Sequence, residues 1–159
     1  MIKHPFEALY DKNSRILILG SFPSVKSREQ NFFYGHAQNR FWRVTAKVFD
    51  ASVPETIQQK REFLLAHGIA LWDVIASCDI EGSADSTIKN VTANDLEPIL
   101  SCADIRQIFV NGKTAHRYYQ RYTKPKICRG AICLPSTSPA NAAWTFERLV
   151  GAWSIIKDF

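Results

Sequence analysis

Residues Arg15 to Gly20 read R-I-L-I-L-G, a short unbroken apolar run closed by glycine. Such a run suits a central strand of a parallel sheet, where both faces are covered. Ile69 to Ile75 predicts a second buried strand, Ile105 to Val110 a third and Ala131 to Leu134 a fourth. Helical spacing fills the intervals. Phe41, Trp42, Thr45, Val48 and Phe49 share one face over 39–50, and Phe146, Leu149, Val150, Trp153 and Ile156 form an apolar stripe near the end. Ser52-Val53-Pro54-Glu55 has the form of a capping box and predicts a helix that Gly68 closes. Two more helices are predicted over 94–100 and 113–122. The polar stretch from Cys78 to Thr92 predicts a long ordered loop, a feature that inside a compact domain often carries function.

Strand and helix alternate throughout. The expectation is an α/β fold: a three-layer α/β/α sandwich around a four-stranded parallel sheet, as one domain over 1–159. In such sheets a ligand lies beyond the carboxyl ends of the strands, which selects the loops after Gly20, after Ile75 and after Leu134.

Composition narrows the partners. Lys and Arg number 20 against 15 acidic residues, an excess that favours an anionic partner without excluding a small-metabolite enzyme. Six of the basic residues (Lys113, Arg117, Arg121, Lys124, Lys126, Arg129) fall in a stretch with no acidic residue, interleaved with tyrosines and His116. This is either a solvated helix face or a track for phosphates. The four cysteines, at 78, 102, 128 and 133, contain no C-x2-C pair, so neither a zinc ribbon nor a disulfide framework is expected, and buried free thiols are. The start, Met1-Ile2-Lys3-His4-Pro5, lacks the apolar stretch of an export leader, and no apolar run is long enough for a membrane. A cytosolic protein without membrane association is expected, with no metal or cofactor. A monomer is expected too, although the sequence leaves the oligomeric state open.

The loop after the first strand reads Gly20-Ser21-Phe22-Pro23-Ser24 and continues into Asn31-Phe32-Phe33-Tyr34-Gly35-His36-Ala37-Gln38-Asn39-Arg40-Phe41-Trp42. Its rings suit either a core or a stacking surface; the polar groups interleaved with them point to binding. The last loop, Leu134-Pro135-Ser136-Thr137-Ser138-Pro139-Ala140-Asn141, reads as a helix N-terminus or as a grip for an anion. Together with L-W-D-V-I at 71–75, these segments resemble the uracil-DNA glycosylase superfamily, and the hypoxanthine-DNA glycosylase branch in particular, from about Arg15 to the final helix.

The resemblance implies a monofunctional, metal-free glycosylase that flips a deaminated base out of DNA and releases it. Hypoxanthine is the expected base and DNA carrying deaminated bases the expected partner. In that superfamily the third position of the first motif holds an Asp or Asn that positions water, and the second motif holds a His. Here those positions are Phe22 and Ser136. Asn39 is therefore the candidate for orienting water, with Ser136 beside it. Phe22, Phe33 and Tyr34 are expected to wall the base, and Asp73 to read it: a carboxylate only accepts, and hypoxanthine offers an N1–H where adenine does not. Ser21, Pro23, Ser24 and Lys113 are expected to hold the strand, together with Ser138, Pro139, Ala140 and Asn141. Within the last group, Pro139, Ala140 and Asn141 would form a wedge. Lys113 is expected to meet a phosphate rather than form a Schiff base. The alternatives are a uracil-preferring enzyme of the same fold, a catalytically inactive DNA-binding relative, and a small-anion binder of flavodoxin-like build.

Overall fold

The computed structural model describes residues 1–159. Its centre is a parallel sheet made of β2 (Ile16–Gly20), β3 (Ile69–Asp73), β6 (Gln107–Asn111) and β7 (Ile132–Leu134), in the order β3-β2-β6-β7. Residues of β2 alternate between the two faces. Ile16 and Ile18 enter one core with Phe41, Phe63, Leu64, Leu149 and Trp153, whereas Leu17 and Leu19 enter a second with Ile99, Ala115 and Tyr118. The first core packs under α2 (Phe41–Val48), α3 (Ile57–Ala66) and α7 (Phe146–Trp153). The second packs under α4 (Glu97–Cys102) and α5 (Lys113–Tyr118). This is the expected three-layer sandwich.

Register fixes where the strands end. Gly20 pairs with Asp73, and Asn111 with Leu134, so the loops that follow all leave one edge of the sheet. A further helix, α1 (Val25–Gln30), begins five residues beyond β2, capped by the Ser24 side chain accepting from the Ser27 N–H.

Several boundaries differ from the expectations. The helix expected from Ser52 starts later: Thr56 caps α3, and Gln59 returns its carbonyl oxygen to the N–H groups of Glu55 and Thr56 at 2.9 and 3.2 Å. Both 52–55 and 56–59 fit the capping pattern, but the first stays outside the helix, where buried Pro54 disfavours a helical backbone at Val53 before it. The stretch expected as a loop over 78–92 keeps its loop in the middle, but both its ends belong to a second sheet. In it β1 (Ile2–Lys3), β4 (Ile75–Asp79) and β5 (Lys89–Ala93) pair antiparallel in the order β1-β4-β5, and only 80–88 connects as a loop. Its strands are half-exposed and polar, which hid them from an apolar-run criterion. The helix expected over 113–122 breaks into α5, a π turn over Tyr119–Thr123, and α6 (Lys124–Ile127). Pro125 has no N–H to offer the Arg121 carbonyl, so the ladder widens there. Of the cysteines only Cys78 is buried; Cys102 ends α4, Cys128 ends α6 and Cys133 lies on the edge strand, all exposed and free. No helix is long and apolar enough to cross a membrane.

Candidate active site

A cleft of about 320 Å³ opens at the carboxyl edge of the parallel sheet. It gathers Ser21, Phe22, Pro23, Ser24, Phe33, Tyr34, Asn39, Asp73, Ser136, Ser138, Pro139 and Ala140, the great majority of the residues expected from sequence. Two expected residues do not line it. Lys113 is exposed at the start of α5. Asn141 turns inward, its side-chain amide donating to the Ser136 carbonyl at 3.0 Å, so it braces the loop rather than forming its tip.

Asp73 forms the floor. It is 5 % exposed, and His4 Nε2 lies 2.7 Å from its Oδ2. The other oxygen sits above Gly20: a Cβ built there would lie 2.5 Å from Asp73 Oδ1 and 3.4 Å from Tyr34 Oη. Only glycine admits that approach, which explains why β2 ends in one. His4 comes from the extended segment after β1, and no local pattern in the sequence pointed to it. Its Nδ1 is buried without a partner.

The rings largely face one another. Tyr34 stacks on Phe41 with centroids 4.1 Å apart, and Phe33 meets the edge of Phe6 at 4.8 Å. Phe33 is 3 % exposed and Phe22 9 %, so each presents only an edge or a corner to the cleft. Tyr34 adopts a left-handed backbone (φ 51°), and its phenol is buried beside Asn111 without a hydrogen-bond partner in good geometry. Burial pushes the Tyr34 phenol well above its ordinary value, and the Asp73 charge adds to the effect.

Thr137 is the pivot that sequence reasoning missed, lying between the two hydroxyls that were singled out. It is fully buried; its Oγ1 donates to Asn39 Oδ1 at 2.9 Å and accepts from Asn111 Nδ2 at 3.0 Å. Asn39 Oδ1 also accepts from the Phe41 N–H at 2.9 Å, which fixes the orientation of the amide. With both lone-pair directions of that oxygen engaged, Asn39 has only N–H to offer the cleft. Arg40 fastens the other side. Its guanidinium donates to the carbonyls of Trp144, Ser138 and Asn141, the last two at 3.1 Å. At the β6–α5 turn, Gly112 (φ 96°) brings its Cα against Ser136, where a Cβ would meet Ser136 Cβ at 3.0 Å.

Asp85, in the connection between β4 and β5, stands at the exposed rim. Crowding by neighbouring atoms holds its carboxyl above the usual carboxylate range, against the opposing pull of the Thr114 and Ser21 hydroxyls and of Arg117. No group of three or more His, Cys, Asp or Glu is placed to hold a metal ion.

The profile of the uracil DNA glycosylase superfamily matches residues 7–157. The chain belongs to that superfamily. Among relatives of the superfamily, a hypoxanthine DNA glycosylase of Methanosarcina acetivorans is 34% identical over 154 residues, covering 93% of this chain and 94% of the relative. A hypoxanthine DNA glycosylase of Methanosarcina barkeri (strain Fusaro) is 33% identical over 120 residues, covering 74% of this chain and 76% of its own. A solution NMR structure of a Methanosarcina acetivorans chain assigned to the uracil DNA glycosylases superposes with a TM-score of 0.83 at 32% identity, covering 99% of this chain and 97% of that one. The matched residues include both loops that border the cleft, Gly20–Ser24 and Ser136–Ala140.

Proposed function

We propose that this chain is a monofunctional DNA glycosylase that hydrolyses the N-glycosidic bond of deoxyinosine and releases hypoxanthine from DNA. The observation that carries the reading is the acceptor-only carboxylate of Asp73 at the floor of a superfamily cleft, held by His4 at 2.7 Å. A flipped hypoxanthine presents its N1–H to Asp73 Oδ1, where adenine would oppose a lone pair to a lone pair. The neighbouring Tyr34 phenol, kept protonated by its surroundings, is a donor for the O6 carbonyl. Phe22, Phe33 and Tyr34 wall the base.

Cleavage moves the C1′–N9 electron pair onto the purine, and donors aimed at the departing ring stabilise that charge. The Ser136 hydroxyl supplies one, while the Asn39 side-chain N–H orients the attacking water. Pro139 and Ala140, exposed at the loop tip, fill the gap in the base stack, and Ser21, Ser24 and Ser138 meet the strand around the flipped nucleotide. Flipping costs about a few kcal/mol and least at a weakened pair, so an inosine lesion lowers the barrier to entry. Lys113 meets a phosphate from outside the cleft.

The test is base release from duplexes carrying inosine, uracil or xanthine, read as alkali-labile strand breaks, with Asp73→Asn alongside. Inosine should be the preferred lesion. Asp73→Asn should lose inosine release by roughly tenfold or more, on the scale of one good base contact of about 1–3 kcal/mol. An unchanged rate and unchanged base preference in Asp73→Asn would remove Asp73 from recognition; uracil release exceeding inosine release would favour the uracil-preferring reading.

A further inference from the structure

The superfamily's first motif supplies a polar group for water at a position where this chain has Phe22, a ring that cannot hydrogen-bond. Asn39 does not replace it fully. Its Oδ1 is engaged by Phe41 and Thr137, so the remaining N–H donors can hold a water oxygen but cannot take its proton. A carboxylate has to be sought among the other residues of the cleft, and there are two. Asp73 lies on the buried floor, committed to His4. Asp85 stands on the rim with its carboxylate free of any basic partner in a salt bridge, beside Ser21, the residue immediately before Phe22. The connection carrying Asp85 is fastened to the first-motif loop: Val25 N–H donates to Ser83 Oγ at 2.9 Å, and Arg28 donates to the Gly82 carbonyl at 3.0 Å.

We propose that Asp85 is the catalytic base of this enzyme, taking from the β4–β5 connection the role that Phe22 vacates in the first motif. The proposal rests on the glycosylase reading above. The water oxygen forms its bond to C1′ while the C1′–N9 bond breaks and leaves its electron pair on the purine. Asp85 takes the water proton, and the resulting carboxylic acid later returns a proton to the purine anion, so that water and deoxyinosine give hypoxanthine and an abasic sugar with nothing left over. Asn39 holds the water by donating to it, and Asp85 accepts from it. The charged and titratable groups around Asp85 are Arg117 from α5, Asp73 from the floor and the buried thiol of Cys78. Crowding raises the affinity of Asp85 for a proton, and a bound strand that excludes solvent raises it further, which suits a base more than a spectator anion.

The experiment is single-turnover release from an inosine duplex with enzyme in saturating excess, from about pH 5 to about pH 9. Wild type should show an acid limb falling with protonation of one carboxyl. Asp85→Asn should be slower by roughly 100-fold or more, the range of general-base catalysis, and its profile should lose that limb. Arg117→Gln should keep the limb but shift it to higher pH, because a cation that favours the carboxylate has gone. A flat wild-type profile, an Asp85→Asn rate within about threefold of wild type, or a slow variant that keeps the limb would each overturn the assignment. If Asp85→Asn does not fold, an unmoved limb in Arg117→Gln overturns it instead. A wild-type enzyme that releases no hypoxanthine at all would refute the glycosylase reading itself, a separate result.

Discussion

Replacing Thr137 by valine removes one oxygen from a site where shape is otherwise kept. The side chain is fully buried and its volume hardly changes, so no cavity opens. The backbone bonds of the residue, from its N–H to Asn111 Oδ1 at 3.1 Å and from Arg40 N–H to its carbonyl at 3.0 Å, remain available. What disappears is the pair of hydroxyl bonds to Asn39 and Asn111, at 2.9 and 3.0 Å. Each neutral bond contributes about 1 kcal/mol net, and a buried partner left unpaired costs more. Asn39 and Asn111 are only half-buried, so solvent recovers part of that extra penalty. The expected loss is about 2 kcal/mol, a fall in the urea midpoint on the order of 1 M for an ordinary slope. Thr137→Ser keeps both bonds and removes a methyl, an expected loss of about 1 kcal/mol. Urea unfolding of the two variants together provides the assay, and Thr137→Val should be the less stable. Base release should follow the same order, because Asn39 loses the contact that aims its amide. A valine variant as stable as wild type, or more stable than the serine variant, would refute the view that this hydroxyl fastens the site.

Gly20→Ala should displace the Asp73 carboxylate, since the new Cβ would sit 2.5 Å from Oδ1. Separation from His4 leaves a buried charge poorly paired and should cost roughly 3 kcal/mol or more in unfolding free energy, and a loss below about 0.5 kcal/mol would show the floor to be adaptable. Of the five tyrosines, Tyr34 and Tyr119 should resist ionisation, because burial raises both. A phenol whose value is raised on folding stabilises the fold fully below its unfolded value of about 10 and loses that contribution as pH climbs through the folded value. Ultraviolet titration should therefore show a late-ionising fraction coupled to alkaline unfolding, and Tyr34→Phe should reduce it; unrestricted ionisation of all five near pH 10 would contradict it.

The parallel strands were legible because each is buried on both faces and reads as an apolar run; Ile16–Gly20 and Ile69–Asp73 are the plainest cases. The antiparallel sheet was not, because β5 turns most of K-N-V-T-A to solvent and offers no run to count. The cleft residues at strand ends and on the loops beyond them were found by the family resemblance together with their position, Asn39 and Asp73 among them. Their partners were not. His4 reaches Asp73 across 69 residues and Thr137 reaches Asn39 across 98, and no local periodicity encodes contacts so distant. Asp85 lay in the polar stretch expected to carry function but was not itself singled out, and only the folded chain sets it beside Ser21. The basic stretch was over-read in one respect: Arg129 donates to the Ile105 carbonyl at 2.8 Å and is engaged in holding the fold.

Arg40 gathers its loop through carbonyl oxygens of Ser138, Asn141 and Trp144, none of which carries a formal charge. A carboxylate clasp would have cancelled the cation; dipoles only orient it. The fastener therefore keeps its full positive charge at the base of the loop that carries Pro139 and Ala140. A polyanion approaching that loop meets an attractive field from a group that is already immobilised and has no rotamer freedom to surrender on contact.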